Sequence, residues 1–213
     1  MIIEIGRMRH CIHPFTPYHT SSGLINLRYG SALMICEGSL GYLMDQVRRK
    51  QHPEVRPAVL ALLEEYPHYD KNCFVIMPFR NTAVHSEIFD VISSTLTGCG
   101  LTALRADTKI FSDDLFLNIL AYLHGCKFGI AVFERVLTQD FNPNVSLEVG
   151  YLLGLRKPVL LLKDQTLPRL PSDLVGRLYT EFNTFDVKGT LPAGIQHWLV
   201  NKKLLKRDLS TNP

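Results

Sequence analysis

From Cys73 onward two kinds of hydrophobic spacing alternate along the chain. Cys73–Met77 is a continuous apolar run, as expected of a central parallel strand buried on both faces. In Val84–Thr97 the apolar positions are Val84, Ile88, Val91, Ile92 and Leu96, the spacing of a helix, and Gly98 and Gly100 end it. Leu101–Arg105 reads as a second strand, and Asp113 or Asp114 opens a helix through Leu115, Ile119, Leu120 and Leu123. A third strand is expected over Phe128–Phe133, a helix over Asn144–Leu155 and a fourth strand over Pro158–Lys163. Thr180–Phe185 reads as a fifth strand, and Ile195–Leu205, containing Trp198, as a closing helix. Strands alternating with helices of this length predict an α/β domain whose parallel sheet is covered on both faces. Right-handed crossovers then fix its hand.

The first seventy residues lack this alternation. Glu54–Tyr66 is a clear helix: Pro53 stands before it, Val55, Val59, Leu62 and Leu63 share one face, and Pro67 stops it. Pro57 falls in its first turn, where proline is tolerated. Gly30–Lys50 reads as one helix or two short ones, interrupted by Gly38 and Gly41, and residues 1–29 as irregular or edge-strand material. The expected organisation is a mainly helical extension over 1–70 and an α/β domain over 71–213.

Composition narrows the class. Of the 213 residues, 46% are apolar and 20% charged, which suits a globular protein with a substantial core. A net charge of +3 calls for neither nucleic acid nor an anionic membrane as a partner. The basic runs Arg48-Arg49-Lys50 and Lys202-Lys203 with Lys206-Arg207 sit at the ends of expected helices, where cations suit the dipole. Cys11, Cys36, Cys73, Cys99 and Cys126 form no CxxC pair and read as buried free thiols in a reducing compartment. With no signal-like segment and no apolar stretch near the length of a membrane span, the chain reads as cytoplasmic. His10, His13, His19 and Cys11 match no ordinary zinc spacing, so no metal is expected. The glycine-rich dinucleotide fingerprint, the phosphate-binding loop of NTPases and the nucleophile elbow of α/β-hydrolases are all missing, and no cofactor is expected.

In an open parallel sheet, ligands bind beyond the carboxyl ends of the strands. That rule selects four polar or turn-forming segments: 78–83, 106–112, 134–144 and 164–172. The third runs into a helix start. Asn142 is a good N-cap, and Pro143 is pre-set for the first helical turn. Asn144 and Glu148, four apart, share a face that Tyr151 joins. Glu148 stands among Leu147, Val149, Leu152 and Leu153, so its carboxyl is read as partly enclosed, with the nearby helix N-terminus favouring its ionised form. Such a carboxylate can attack or stabilise a sugar carbon that develops oxocarbenium character. The alternative is a solvated or salt-bridged surface glutamate.

The other edge segments supply supporting groups. In the segment Pro78–Asn81, the backbone N–H groups of Phe79, Arg80 and Asn81 and the next helix N-terminus can hold a phosphate, with Arg80 pairing to it. The alternative for Arg80 is a solvated loop arginine. Asp107 can accept from ribose hydroxyls, or simply cap a turn. Asp113 and Asp114 read as helix caps, and Ser172 or Asp173 as the cap of a short helix. His124 and His197 read as structural.

The run Cys73-Phe74-Val75-Ile76-Met77-Pro78-Phe79, followed by Asn142-Pro143-Asn144-Val145 with Glu148 and Gly150, resembles the nucleoside 2-deoxyribosyltransferase-like superfamily, a group related to the TIR domains that hydrolyse NAD. The resemblance covers roughly residues 73–186. It implies a flavodoxin-like sheet and a glutamate, matching Glu148, that acts at the anomeric carbon with a nucleobase or nicotinamide as leaving group. It also implies assembly into a homo-oligomer. Many relatives carry an aspartate just after the Ile-Ala pair of the third strand. Here Ile130-Ala131 is followed by Val132 and Phe133, and Glu134 is the first acid. Either Glu134 replaces that aspartate from a shifted position, or the sugar contact is lost.

Three functions follow as expectations. The first is an N-glycosidase or glycosyltransferase acting on a nucleoside or nucleotide, with Asp107 or Glu134 protonating the leaving base. The second is a TIR-like NAD glycohydrolase, in which nicotinamide leaves without a proton and one carboxylate suffices. The third is a non-catalytic nucleotide sensor in which Glu148 only hydrogen-bonds ribose.

Overall fold

The computed structural model describes residues 53–137 and 140–205. The expectations for 1–29 and 30–50, for Cys11 and Cys36, and for Lys206-Arg207 lie outside the described residues. Five strands form one parallel sheet: β1 (Asn72–Ile76), β2 (Thr102–Leu104), β3 (Phe128–Phe133), β4 (Val159–Asp164) and β5 (Thr180–Phe182). Their order is β2-β1-β3-β4-β5, the flavodoxin-like arrangement. β1 and β3 are buried at every position, which is why they read as unbroken apolar runs, whereas the edge strand β2 is partly exposed.

Alternate residues of each strand serve opposite faces of the sheet. On one face Phe74, Ile76, Ala131 and Phe133 meet Leu62 of α1 (Arg56–Glu65), Leu120 of α3 (Leu115–Gly125), and Val145, Val149 and Leu152 of α4 (Pro143–Gly154). On the other, Cys73, Val75, Ile130 and Val132 meet Ile88, Ile92 and Leu96 of α2 (Ala83–Gly98), and Leu191, Ile195 and Leu199 of α5 (Val187–Asn201). Each fully buried leucine or isoleucine here contributes about 1.5–3 kcal/mol of transfer free energy. The α1 helix therefore belongs to the core: Val55, Ala58 and Leu62 are buried in it, with Val59 and Leu63 packed alongside.

Three expectations are corrected. The last helix begins at Val187 rather than Ile195. Gly189, Pro192 and Gly194 look like breakers in sequence, but each has a place. Asp186 caps the helix by accepting from the Gly189 N–H, Pro192 is accommodated within it, and Gly194 lets it approach Thr180 of β5, where a Cβ would collide. β5 correspondingly ends at Phe182, because Asn183–Asp186 turns the chain and leaves Phe185 exposed. The segment at Ser172 forms only a short 3-10 turn, with no side-chain cap. Elsewhere Asp114 caps α3, accepting from the Leu117 N–H at 2.8 Å.

Cys73 and Cys126 are buried free thiols, while Cys99 is free and half-buried. Burial pushes Cys126 up to about 12 and Cys73 well up, so neither is a thiolate nucleophile. No described helix is long and apolar enough to cross a membrane.

Candidate active site

The strand order reverses between β1 and β3, and a cleft of about 360 Å³ opens at the carboxyl ends of these two strands. Pro78 and Arg80 line it from the β1 side, and Glu134, Leu137, Asp140 and Phe141 from the β3 side. The start of α4, Asn142–Asn144, completes the wall. Sequence fixes this start as expected. The Asn142 side chain accepts from the Asn144 N–H at 2.9 Å, and Pro143 occupies the first turn.

On the β1 side, Pro78 is buried, and Phe79, Arg80 and Asn81 are exposed. The Arg80 guanidinium holds no ion pair or hydrogen bond among the described residues, so it is available to an anionic ligand. Phe79 and Asn81 flank the cleft without lining it. Thr82 then caps α2, its hydroxyl accepting from the His85 N–H at 3.3 Å.

Glu134 is the cleft residue most firmly held. It is only 6% exposed. One carboxylate oxygen lies 3.1 Å from Nε2 of the fully buried His85, and the other accepts from the Val136 N–H. His85 Nδ1 in turn lies 2.6 Å from the Thr82 hydroxyl. His85 belongs to no motif that sets it apart in the sequence. The signal was present: it falls three residues before Ile88, on the apolar stripe of α2, where a buried polar side chain has to find partners.

Asp107 lies outside the cleft lining. Arg105 grips it through two hydrogen bonds, Nε to Oδ1 at 2.5 Å and Nη2 to Oδ2 at 2.6 Å. The same guanidinium stacks over Phe89 at 4.8 Å from the ring centroid. Tyr151 is also placed elsewhere. Its hydroxyl pairs with His124 Nε2 at 2.9 Å, against the end of α3, two turns along the helix from Asn144.

Glu148 sits one turn beyond Asn144 on α4, half-buried, and does not line the cleft itself. Among the described residues it has no hydrogen-bond or ion-pair partner. Burial pushes its carboxyl up to about 7. This corrects the expectation that the helix N-terminus holds it as an anion: the dipole acts within the first turn, Glu148 stands in the second, and desolvation prevails. A carboxyl near neutrality can both give and take a proton at physiological pH. Ser146, two residues earlier, keeps a buried hydroxyl without a partner among the described residues. Among the described residues no three His, Cys, Asp or Glu side chains gather as a metal site.

No family model and no curated protein matches the chain. Solved structures do align with it. One is a 2-desoxiribosyltransferase from Leishmania mexicana, with a TM-score of 0.37, 18% identity, and 44% of this chain and 64% of that chain covered. Another is a 2-deoxyribosyltransferase from the psychrotolerant bacterium Bacillus psychrosaccharolyticus, with a TM-score of 0.41, 16% identity, and 57% and 93% covered. The chain thus spans less than two thirds of the Leishmania protein's length. The fold assignment rests on the strand order itself.

Proposed function

We propose that the cleft takes a nucleoside or nucleotide and that the protein breaks or exchanges its N-glycosidic bond, with Glu148 acting at the anomeric carbon. The observation that carries this reading is the state of Glu148. It is a desolvated carboxyl without a partner among the described residues, one turn from the cleft-lining Asn144. A structural glutamate of this burial is ordinarily paired. Leaving one unpaired costs stability, as reactive carboxyls do. Arg80 suits a phosphate on the ligand, and Leu137 and Phe141 offer apolar surface to a base.

The NAD glycohydrolase reading gains from the fate of the other two acids. Asp107 is held by Arg105, and Glu134 by His85 and Val136, so neither is free to protonate a departing base. Nicotinamide leaves as a neutral base from a pyridinium and needs no such acid. Incubation with NAD, 2-deoxynucleosides and nucleoside monophosphates, followed by chromatography for free base, separates these substrates. Release of base by the wild type and its loss in Glu148→Gln supports the reading. Cleavage that survives the substitution removes Glu148 from the chemistry, and binding without any release leaves a nucleotide sensor.

A further inference from the structure

We infer that Glu134 recognises hydroxyl groups of the ligand, and that His85, buried behind it, is the residue that positions it. The inference rests on the cleft being the nucleotide site proposed above, and it makes the preferred ligand ribosyl rather than deoxyribosyl.

The hydrogen-bond chain has a direction. The Thr82 hydroxyl oxygen accepts from the His85 backbone N–H, so its own proton is free to point at His85 Nδ1, 2.6 Å away. Nδ1 then accepts, Nε2 carries the imidazole proton, and Nε2–H donates to Glu134 Oε1 at 3.1 Å. Every donor and acceptor in the chain is satisfied this way. The other neutral tautomer would set an Nε2 lone pair against a carboxylate oxygen, with both side chains buried. The Val136 N–H holds the second oxygen.

A carboxylate has about four acceptor directions. Two are used by the protein, and Glu134 turns its little remaining exposure to the cleft. The acceptors left over suit a pair of neighbouring O–H donors, such as the 2′- and 3′-hydroxyls of ribose. A sugar lacking them leaves a fixed, desolvated carboxylate unanswered, which is how a polar site rejects an analogue that lacks the matching group. His85 never touches the ligand. Its contribution is to hold the carboxylate in one orientation before the ligand arrives.

The test uses the full-length chain and two readouts. Calorimetric titration with AMP and 2′,3′-dideoxy-AMP is expected to show a preference for AMP of about tenfold or more, the scale of hydrogen bonds to a charged group. His85→Leu is expected to abolish that preference while leaving dideoxy-AMP affinity unchanged. His85→Gln, whose amide N–H can replace Nε2–H, keeps most of the preference. Should His85→Leu not fold, Glu134→Gln takes its place and is expected to lose the preference as well. Equal affinity for the two ligands in the wild type, or a preference that outlives the loss of His85 or Glu134, overturns the inference. Failure of the wild type to bind either ligand instead overturns the nucleotide reading. The positioning then stands or falls on nitrogen-15 NMR of the free protein, where neutral His85 must carry its proton on Nε2. A proton on Nδ1 overturns the relay whether or not any ligand binds.

Discussion

A Cδ methyl of Leu152 in α4 occupies the space into which a side chain on Gly129 of β3 would project: a Cβ built there lies 2.5 Å from it, and 3.4 Å from the Phe74 carbonyl oxygen of β1. This contact sets how closely α4 lies on the sheet, and α4 carries both Asn144 and Glu148. Gly129→Ala is therefore expected to cost about 1–3 kcal/mol, the usual penalty of overpacking a dense core. Leu152→Ala alone removes a fully buried side chain and costs about 2–5 kcal/mol. Urea denaturation of the double variant is expected to give less than the sum of the two, because the alanine methyl enters the space that Leu152 vacates. Strict additivity would mean that the two residues do not press on one another.

Arg105 and Asp107 make a partly exposed bidentate pair outside the cleft, with side chains 16% and 26% exposed. Asp107→Asn is expected to lower stability by about 1 kcal/mol or less. It is expected to leave release of base within about threefold of wild type, because an acid outside the site contributes none of the usual hundredfold or more of general catalysis. A drop of a hundredfold with stability intact would restore Asp107 as the proton donor.

Lys157, just after α4, reaches back to the end of α3. Its ammonium donates to the carbonyl oxygens of Leu123, His124 and Cys126 at 2.6, 2.9 and 2.5 Å. These are groups that a helix terminus leaves without partners. Lys157→Met keeps the aliphatic length and removes the donors, and thermal or urea unfolding is expected to report a loss of about 2–3 kcal/mol. A change within about half a kcal/mol would mean that water serves these carbonyls equally well.

The sheet was legible because strands buried on both faces leave uninterrupted apolar runs, and β3 occupies the whole of its expected range, Phe128–Phe133. The caps at Asn142 and Asp114 were legible because capping is local chemistry between residues two or three apart. The start of α5 was not. The value of Gly194 there depends on Thr180, which lies in another element and has no sequence signature. The site divides the same way. Pro78, Arg80, Glu134, Asn142 and Asn144 come together because each follows a strand or opens a helix at the carboxyl edge. Tyr151 shares helical spacing with Glu148, yet spacing does not say that His124 lies opposite. The role of His85 is illegible in the sequence for a related reason. A single histidine on an apolar stripe gains meaning only when Glu134, forty-nine residues later, is brought against it.

The raised carboxyl of Glu148 makes both stability and reactivity depend on pH. Its ordinary value is 4.5, and burial takes it to about 7 in the folded protein. The folded state thus binds the proton more tightly than the unfolded one. The stabilisation from burying the neutral form is complete below about 4.5 and is lost as pH rises through about 7. Glu148→Gln keeps the shape without the titration. Relative to wild type it is expected to be nearly neutral at low pH and to stabilise above about pH 8 by about 1–2 kcal/mol, the full linkage value being reduced because the group is partly solvated. Denaturation curves across this range check the sign, and a variant less stable than wild type at high pH would mean that the carboxylate is favourably held. The same ionisation separates two chemical roles. If the anion attacks or stabilises the sugar cation, the rate of base release rises through about pH 7 and levels off above it. If Glu148 instead donates a proton to the departing base, the rate falls over the same interval.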